Sequence, residues 1–106
     1  MAQATLSTHV LDTTNGVPAA GVEVALYRDG TLVTKGTTGK DGRVANLGTD
    51  HEPGTYRLVF DVGAYFRARQ LDTFLGSVTL EVRLSSGHQH IPLLVSRYGV
   101  VSYLGS

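Results

Sequence analysis

The segment Val78-Thr79-Leu80-Glu81-Val82-Arg83-Leu84 alternates apolar and polar residues without a break. Successive side chains of a strand point to opposite faces, so a period of two puts four aliphatic residues on one side and three polar ones on the other. Val22-Glu23-Val24-Ala25-Leu26-Tyr27 and Gly54-Thr55-Tyr56-Arg57-Leu58-Val59-Phe60 alternate in the same way. Turn signals separate these runs. Asp29-Gly30 has hairpin chemistry, and Gly39-Lys40-Asp41-Gly42 closes a stretch from Thr31 to Thr38 that is rich in β-branched residues. Short strands at this spacing predict an all-β antiparallel sandwich, and 106 residues suffice for one domain, residues 1–106, with one modest core. One segment departs from the pattern. Residues 63–71 lack the period of two, and Ala64 with Phe66-Arg67-Ala68-Arg69-Gln70 favours one short helix there.

Three strands are apolar on both faces. In Thr5 to Leu11, Leu6, Thr8 and Val10 oppose Ser7, His9 and Leu11. In the strand from His88, Ile91, Leu93 and Val95 oppose His88, His90, Pro92 and Leu94. A turn at Ser96-Arg97-Tyr98-Gly99 leads into a last apolar strand, expected to run to the end of the chain, in which Val101 and Tyr103 oppose Val100, Ser102 and Leu104. A lone two-layer sandwich needs one apolar face per strand. Two such faces predict a further covering layer, most simply another subunit.

Charge and composition narrow the classes of function. Nine basic and nine acidic residues cancel, so no electrostatic footprint for nucleic acid or for a charged surface is expected. No apolar run approaches the ~20 residues of a membrane span, and Met-Ala-Gln-Ala-Thr lacks the pattern of a secretory leader. The expectation is a soluble, cytoplasmic protein. With no cysteine, disulfides are excluded.

The histidines carry the chemistry. His51, in Gly48-Thr49-Asp50-His51-Glu52-Pro53-Gly54, reads as a solvated loop residue. His88 and His90 are two apart on a strand and point the same way. If the first strand lies in the same sheet, His9 joins them on one outer surface. Three imidazoles suit zinc with an open position for water. Against this, no carboxylate on a flanking strand is placed to orient the rings. The same rings suit metal-free acid–base catalysis near neutral pH. Arg43, after the Asp41-Gly42 turn, is the natural partner, a fixed cation able to hold a carbonyl or an oxyanion. Neither a nucleophile elbow nor a phosphate loop is present.

These residues resemble the 5-hydroxyisourate hydrolases, transthyretin-like enzymes of urate breakdown. The likeness begins with Leu6-Ser7-Thr8-His9-Val10-Leu11-Asp12-Thr13 and Gly16-Val17-Pro18-Ala19. It runs through Val24-x-Leu26-Tyr27, Thr38-x-x-Asp41-Gly42-Arg43 and Gly54-Thr55-Tyr56. It closes with His88-x-His90-Ile91-Pro92-Leu93-Leu94-Val95-Ser96, Tyr98-Gly99 and Tyr103-x-Gly105-Ser106, and so spans essentially the whole chain. The middle motifs occur in many transthyretin-like and carboxypeptidase-regulatory modules and identify a fold. The first, His-x-His and terminal motifs are far more specific.

The resemblance implies a transthyretin (prealbumin)-like sandwich of two four-stranded sheets with one short helix, assembled as a homotetramer with active sites in a channel between subunits. It implies hydrolysis of 5-hydroxyisourate to 2-oxo-4-hydroxy-4-carboxy-5-ureidoimidazoline without metal or organic cofactor. His9, Arg43 and His90 would be catalytic, and Tyr103 and Ser106 would close the substrate pocket. The alternatives are a non-catalytic ligand-binding protein on the same scaffold, as transthyretin is, and a structural or adhesive module. Two positions and one segment depart from the family pattern. Leu104 replaces the arginine of Tyr-Arg-Gly-Ser, removing a charged hydrogen bond worth ~1.5–3 kcal/mol from the expected pocket. Arg97 stands where proline is usual, and Thr73-Phe74-Leu75-Gly76 replaces an aromatic-Phe-Pro segment.

Overall fold

The computed structural model describes residues 3–106 as nine strands and one helix. In chain order these are β1 (Ala4–Asp12), β2 (Val17–Pro18), β3 (Glu23–Arg28), β4 (Thr31–Thr37), β5 (Arg43–Val44) and β6 (Gly54–Phe60). α1 (Val62–Ala68), β7 (Val78–Leu84), β8 (Gly87–Ser96) and β9 (Gly99–Ser102) follow. The strands form two sheets, one ordered β4-β3-β6-β7 and the other β2-β1-β8-β9. The two-residue strands β2 and β5 both pair with β1, so the second sheet has five members rather than the expected four.

Of the three alternating segments, β6 and β7 have the bounds the period predicts, and residues 22–27 emerge one residue later as β3. Asp29 and Gly30 both take positive φ, 51° and 77°, the geometry that closes the β3–β4 hairpin with the twist of its strands. The helix starts and stops slightly earlier than the expected 63–71. Asp61 accepts a hydrogen bond from the Ala64 amide and caps its start, and Gln70, at φ 59°, turns the chain away after its end.

The core lies between the sheets. Leu6 and Val10 of β1 and Leu93 and Val95 of β8 face Val24 and Leu26 of β3 and Leu58 and Phe60 of β6, all fully buried. Phe66 of α1 is buried against the same cluster. Tyr65, beside it, donates to Asp12 Oδ2 at 2.6 Å and ties the helix to the end of β1. Asp12 also accepts from the Asn15 amide and side chain, so a carboxylate only 1% exposed is satisfied at both oxygens.

Two expectations are corrected. His51 is buried, not solvated. Its Nε2 donates to the Leu47 carbonyl at 2.6 Å, its backbone pairs with Ala4, and its ring packs on Gly48 and beside Tyr56. The last strand stops at Ser102 instead of running to the end; the chain then bends so that Gly105 pairs with His90. Among the described residues, no helix is long and apolar enough to cross a membrane.

Candidate active site

β1 and β8 run parallel, an arrangement that needs a long crossover and is made here by the whole intervening chain. The register pairs Thr5 with His88, Ser7 with His90, and His9 with Pro92. Because Leu6, Val10, Leu93 and Val95 point into the core, Thr5, Ser7, His9, His88 and His90 share the outer face of the sheet. On the other edge of β1, His9 stands directly opposite Arg43 of β5. The three residues expected to be catalytic are therefore gathered on one surface from three strands.

Asp41 sets the Arg43 end. Its carbonyl accepts from His9 Nε2 at 2.8 Å, its Oδ1 accepts from the Arg43 amide at 3.0 Å, and its Oδ2 lies 3.9 Å from Arg43 Nε. A carbonyl can only accept, so His9 Nε2 carries a proton and the neutral ring offers its lone pair at Nδ1. The turn is held on β1 by the Val10 amide, which donates to the Gly42 carbonyl at 2.8 Å. Gly42 adopts φ 78° there, and a Cβ at this position would collide with the Val10 carbonyl. The Arg43 guanidinium remains about half exposed and open to a ligand.

A hydrogen-bonded chain sets the His90 end. Ser7 Oγ lies 2.8 Å from His90 Nδ1 and 2.8 Å from His88 Nε2, and Thr5 Oγ1 lies 2.6 Å from His88 Nδ1. One hydroxyl has one proton, so Ser7 donates to one ring and accepts from the other, and the tautomers of the two histidines are coupled. His90 is half-buried. Burial, then the charge of Arg43, then His9 and His88, all hold its pKa below the usual histidine value. Its imidazole is thus neutral at neutral pH.

The C-terminal residues divide. The Gly105 amide donates to the His90 carbonyl at 2.7 Å, and a Cβ built on Gly105 would approach His90 Cδ2 to 2.9 Å. Gly105 therefore lies beside the His90 ring, and Ser106 after it is exposed. Tyr103 and Leu104 instead line a groove of about 350 Å³ with Leu80, Val82 and Gln89, between β7 of one sheet and β8 of the other. Among the described residues, neither the Tyr103 nor the Ser106 side chain hydrogen-bonds to the histidines of its own chain. Arg97 is engaged elsewhere: its Nε donates to the Asp72 carbonyl at 2.6 Å, and its guanidinium lies over the Tyr98 ring. It does not substitute for the arginine missing at Leu104. Sequence reasoning missed Ser7 and Asp41 as organisers of the site, although Ser7 shares the period-two face of His9.

Two stacked sheets with three imidazoles and a guanidinium on the outer surface of one define a transthyretin-like sandwich equipped for acid–base chemistry. The chain belongs to the HIUase/Transthyretin family, whose model matches residues 6–105. It is 41% identical to the 5-hydroxyisourate hydrolase of Salmonella typhimurium over 95% of this chain and 80% of that protein. It is 40% identical to the 5-hydroxyisourate hydrolase of Pseudomonas aeruginosa, over 95% of this chain and 90% of that one. The solved structure of Klebsiella pneumoniae 5-hydroxyisourate hydrolase superposes with a TM-score of 0.93 at 33% identity, covering 97% of this chain and 99% of that one. Sea bream transthyretin, solved in complex with thyroxine, superposes at 0.87 with 25% identity, over 94% and 93%.

Proposed function

We propose that this protein hydrolyses 5-hydroxyisourate in urate catabolism, opening its cyclic amide to give 2-oxo-4-hydroxy-4-carboxy-5-ureidoimidazoline. The convergence of His9, Arg43 and His90 on one outer face, in a chain about 40% identical to curated hydrolases of that name, carries the reading. His90 is the general base. It is neutral, half-buried and held by Ser7, and it takes a proton from the attacking water. Arg43 receives the negative charge that develops on the carbonyl oxygen. His9, fixed by Asp41 beside Arg43, orients the substrate ring. The chemistry is assigned wholly to side chains, with no metal or organic cofactor.

The working unit proposed is a homotetramer with the site in a channel between subunits. Val100, Val101, Tyr103 and Leu104 are 41–72% exposed in the single chain, an apolar strip that a second copy would cover. Tyr103 lies on the groove side of its own chain, so its place in a substrate pocket is filled across that interface. Ser106, next to Gly105, closes the other side.

The test is spectroscopic. 5-Hydroxyisourate generated freshly by urate oxidase should decay faster with this protein than spontaneously. A non-catalytic carrier, the rival on the same scaffold, would bind without accelerating the decay.

A further inference from the structure

The hydrogen bonds behind His90 lead outward from the reacting surface. Its Nδ1 meets Ser7 Oγ, Ser7 meets His88 Nε2, and His88 Nδ1 meets Thr5 Oγ1, with contacts of 2.8, 2.8 and 2.6 Å. His90 is half-buried, Ser7 buried and His88 exposed, so the chain runs from the interior of the site to water. Every member both donates and accepts. No structural need calls for this arrangement: a half-buried imidazole would be satisfied by Ser7 alone, and His88 could face solvent unpaired.

We propose that Ser7 and His88 form a proton relay that connects His90 to solvent and fixes its reactive tautomer. The inference rests on the hydrolase reading above. In the resting polarity His90 Nδ1–H donates to Ser7, Ser7 donates to His88 Nε2, and His88 Nδ1–H donates to Thr5. His90 Nε2 is then the free lone pair facing the substrate. As the water oxygen bonds to the ring carbonyl, one water proton moves to His90 Nε2. The Nδ1 proton passes to Ser7, the Ser7 proton to His88 Nε2, and the His88 Nδ1 proton through Thr5 to water. When the carbon–nitrogen bond breaks, the leaving ureido nitrogen takes the Nε2 proton of His90. A proton returns along the same path to Nδ1, which restores the resting polarity. The second water proton stays on the new carboxyl group and is released when that group ionises. Atoms and charge balance, and no positive charge resides on His90.

The surroundings favour that outcome. From β5 the Arg43 guanidinium faces His90, from β1 the His9 ring, and from its own strand His88; the chain end contributes only the Gly105 backbone at the ring. A charged imidazolium next to Arg43 is disfavoured, whereas charge at His88 is solvated. Ser7 and His88 act through His90 and are positioning residues.

Turnover is to be measured for the intact protein and for His88→Ala, Ser7→Ala and Ser7→Thr, at low buffer concentration and with added imidazole as a mobile proton carrier. The relay predicts that His88→Ala loses about tenfold in kcat at low buffer, a fraction of the 10²–10⁴ typical of direct acid–base groups, with KM unchanged. Imidazole restores it along a saturating curve. Ser7→Ala falls at least as far, and Ser7→Thr, which keeps the hydroxyl, retains activity. Unchanged kcat in His88→Ala at low buffer overturns the relay, and so does a loss that imidazole does not restore. In both cases an active wild type leaves the hydrolase reading standing. A wild type that does not accelerate decay overturns both.

Discussion

The backbone amide of Gly105 donates to the carbonyl of His90 at 2.7 Å, so the chain end is clamped to the strand that carries the proposed base. Gly105 has no room for a side chain: an added Cβ would sit 2.9 Å from His90 Cδ2 and 3.1 Å from Pro92 Cγ. Gly105→Ala should displace the chain end or tilt the imidazole, leaving the core untouched. The expected result is a loss of about tenfold in kcat/KM, since misplacement by about 1 Å costs up to ~100-fold, with thermal stability unchanged. Equal loss of stability and activity would show that the clamp serves the fold instead.

The pH dependence follows from the direction of the His90 shift. Its pKa is held below the usual histidine value of about 6.5, first by burial, then by Arg43, His9 and His88. The base is neutral above that pKa and protonated, hence inactive, below it. kcat/KM should therefore be flat through neutral pH and fall on the acid side, with its midpoint below about 6.5. A midpoint above that value would contradict His90 as the base.

Asp12 and Tyr65 make a separate prediction about stability. Burial raises the Asp12 pKa, but hydrogen bonds from Tyr65, Asn15 and Thr14 outweigh it and leave it lowered. Its contribution is present above the unfolded value of about 3.9 and lost as pH falls through the folded one. Tyr65 is pushed up to about 12, first by burial and then by Asp12. Its contribution is full below about 10 and is lost as pH rises towards that value of about 12. Tyr65→Phe should cost ~1–3 kcal/mol in urea unfolding at neutral pH, because a buried carboxylate loses a donor. It should also flatten the alkaline loss.

Fold and site were legible in the sequence to different depths. β6 and β7 were readable to the residue because each has one covered face and one solvated face, which a period of two records. The strands β2 and β5 were not, since two residues carry no period and are held in place by the edge of β1. Alternation is also silent on strand direction, so the parallel pairing that sets Ser7 beside His90 emerged only in three dimensions. His9 and His90 stood out as titratable groups on apolar strands, and Arg43 as a fixed cation just after the Asp41-Gly42 turn. His51 misled for the opposite reason: a polar loop sequence concealed a ring buried against Gly48 and Tyr56. Tyr103 lies on the groove side of its own chain, so its proposed place in the pocket requires a second chain.

The proposed assembly has its own test. Val101 is 59% exposed on β9, where a charge would be harmless in a free monomer. At a subunit interface it would be an unpaired buried charge, costly enough to separate the copies. Val101→Glu should convert a four-chain species to smaller ones by light scattering and lower turnover in parallel. A wild type that is monomeric at micromolar concentration would remove the inter-subunit channel.

The central claim is that His90 and Arg43 on the outer face of the five-stranded sheet hydrolyse 5-hydroxyisourate. Its most direct test follows the absorbance of freshly generated substrate with wild type, His90→Ala and Arg43→Ala at equal concentration. Wild type should accelerate the decay, and each variant should lose about 100-fold or more of that acceleration, the scale for removing a general base or an oxyanion donor. Wild-type rates in both variants, or no acceleration by wild type, would contradict the claim.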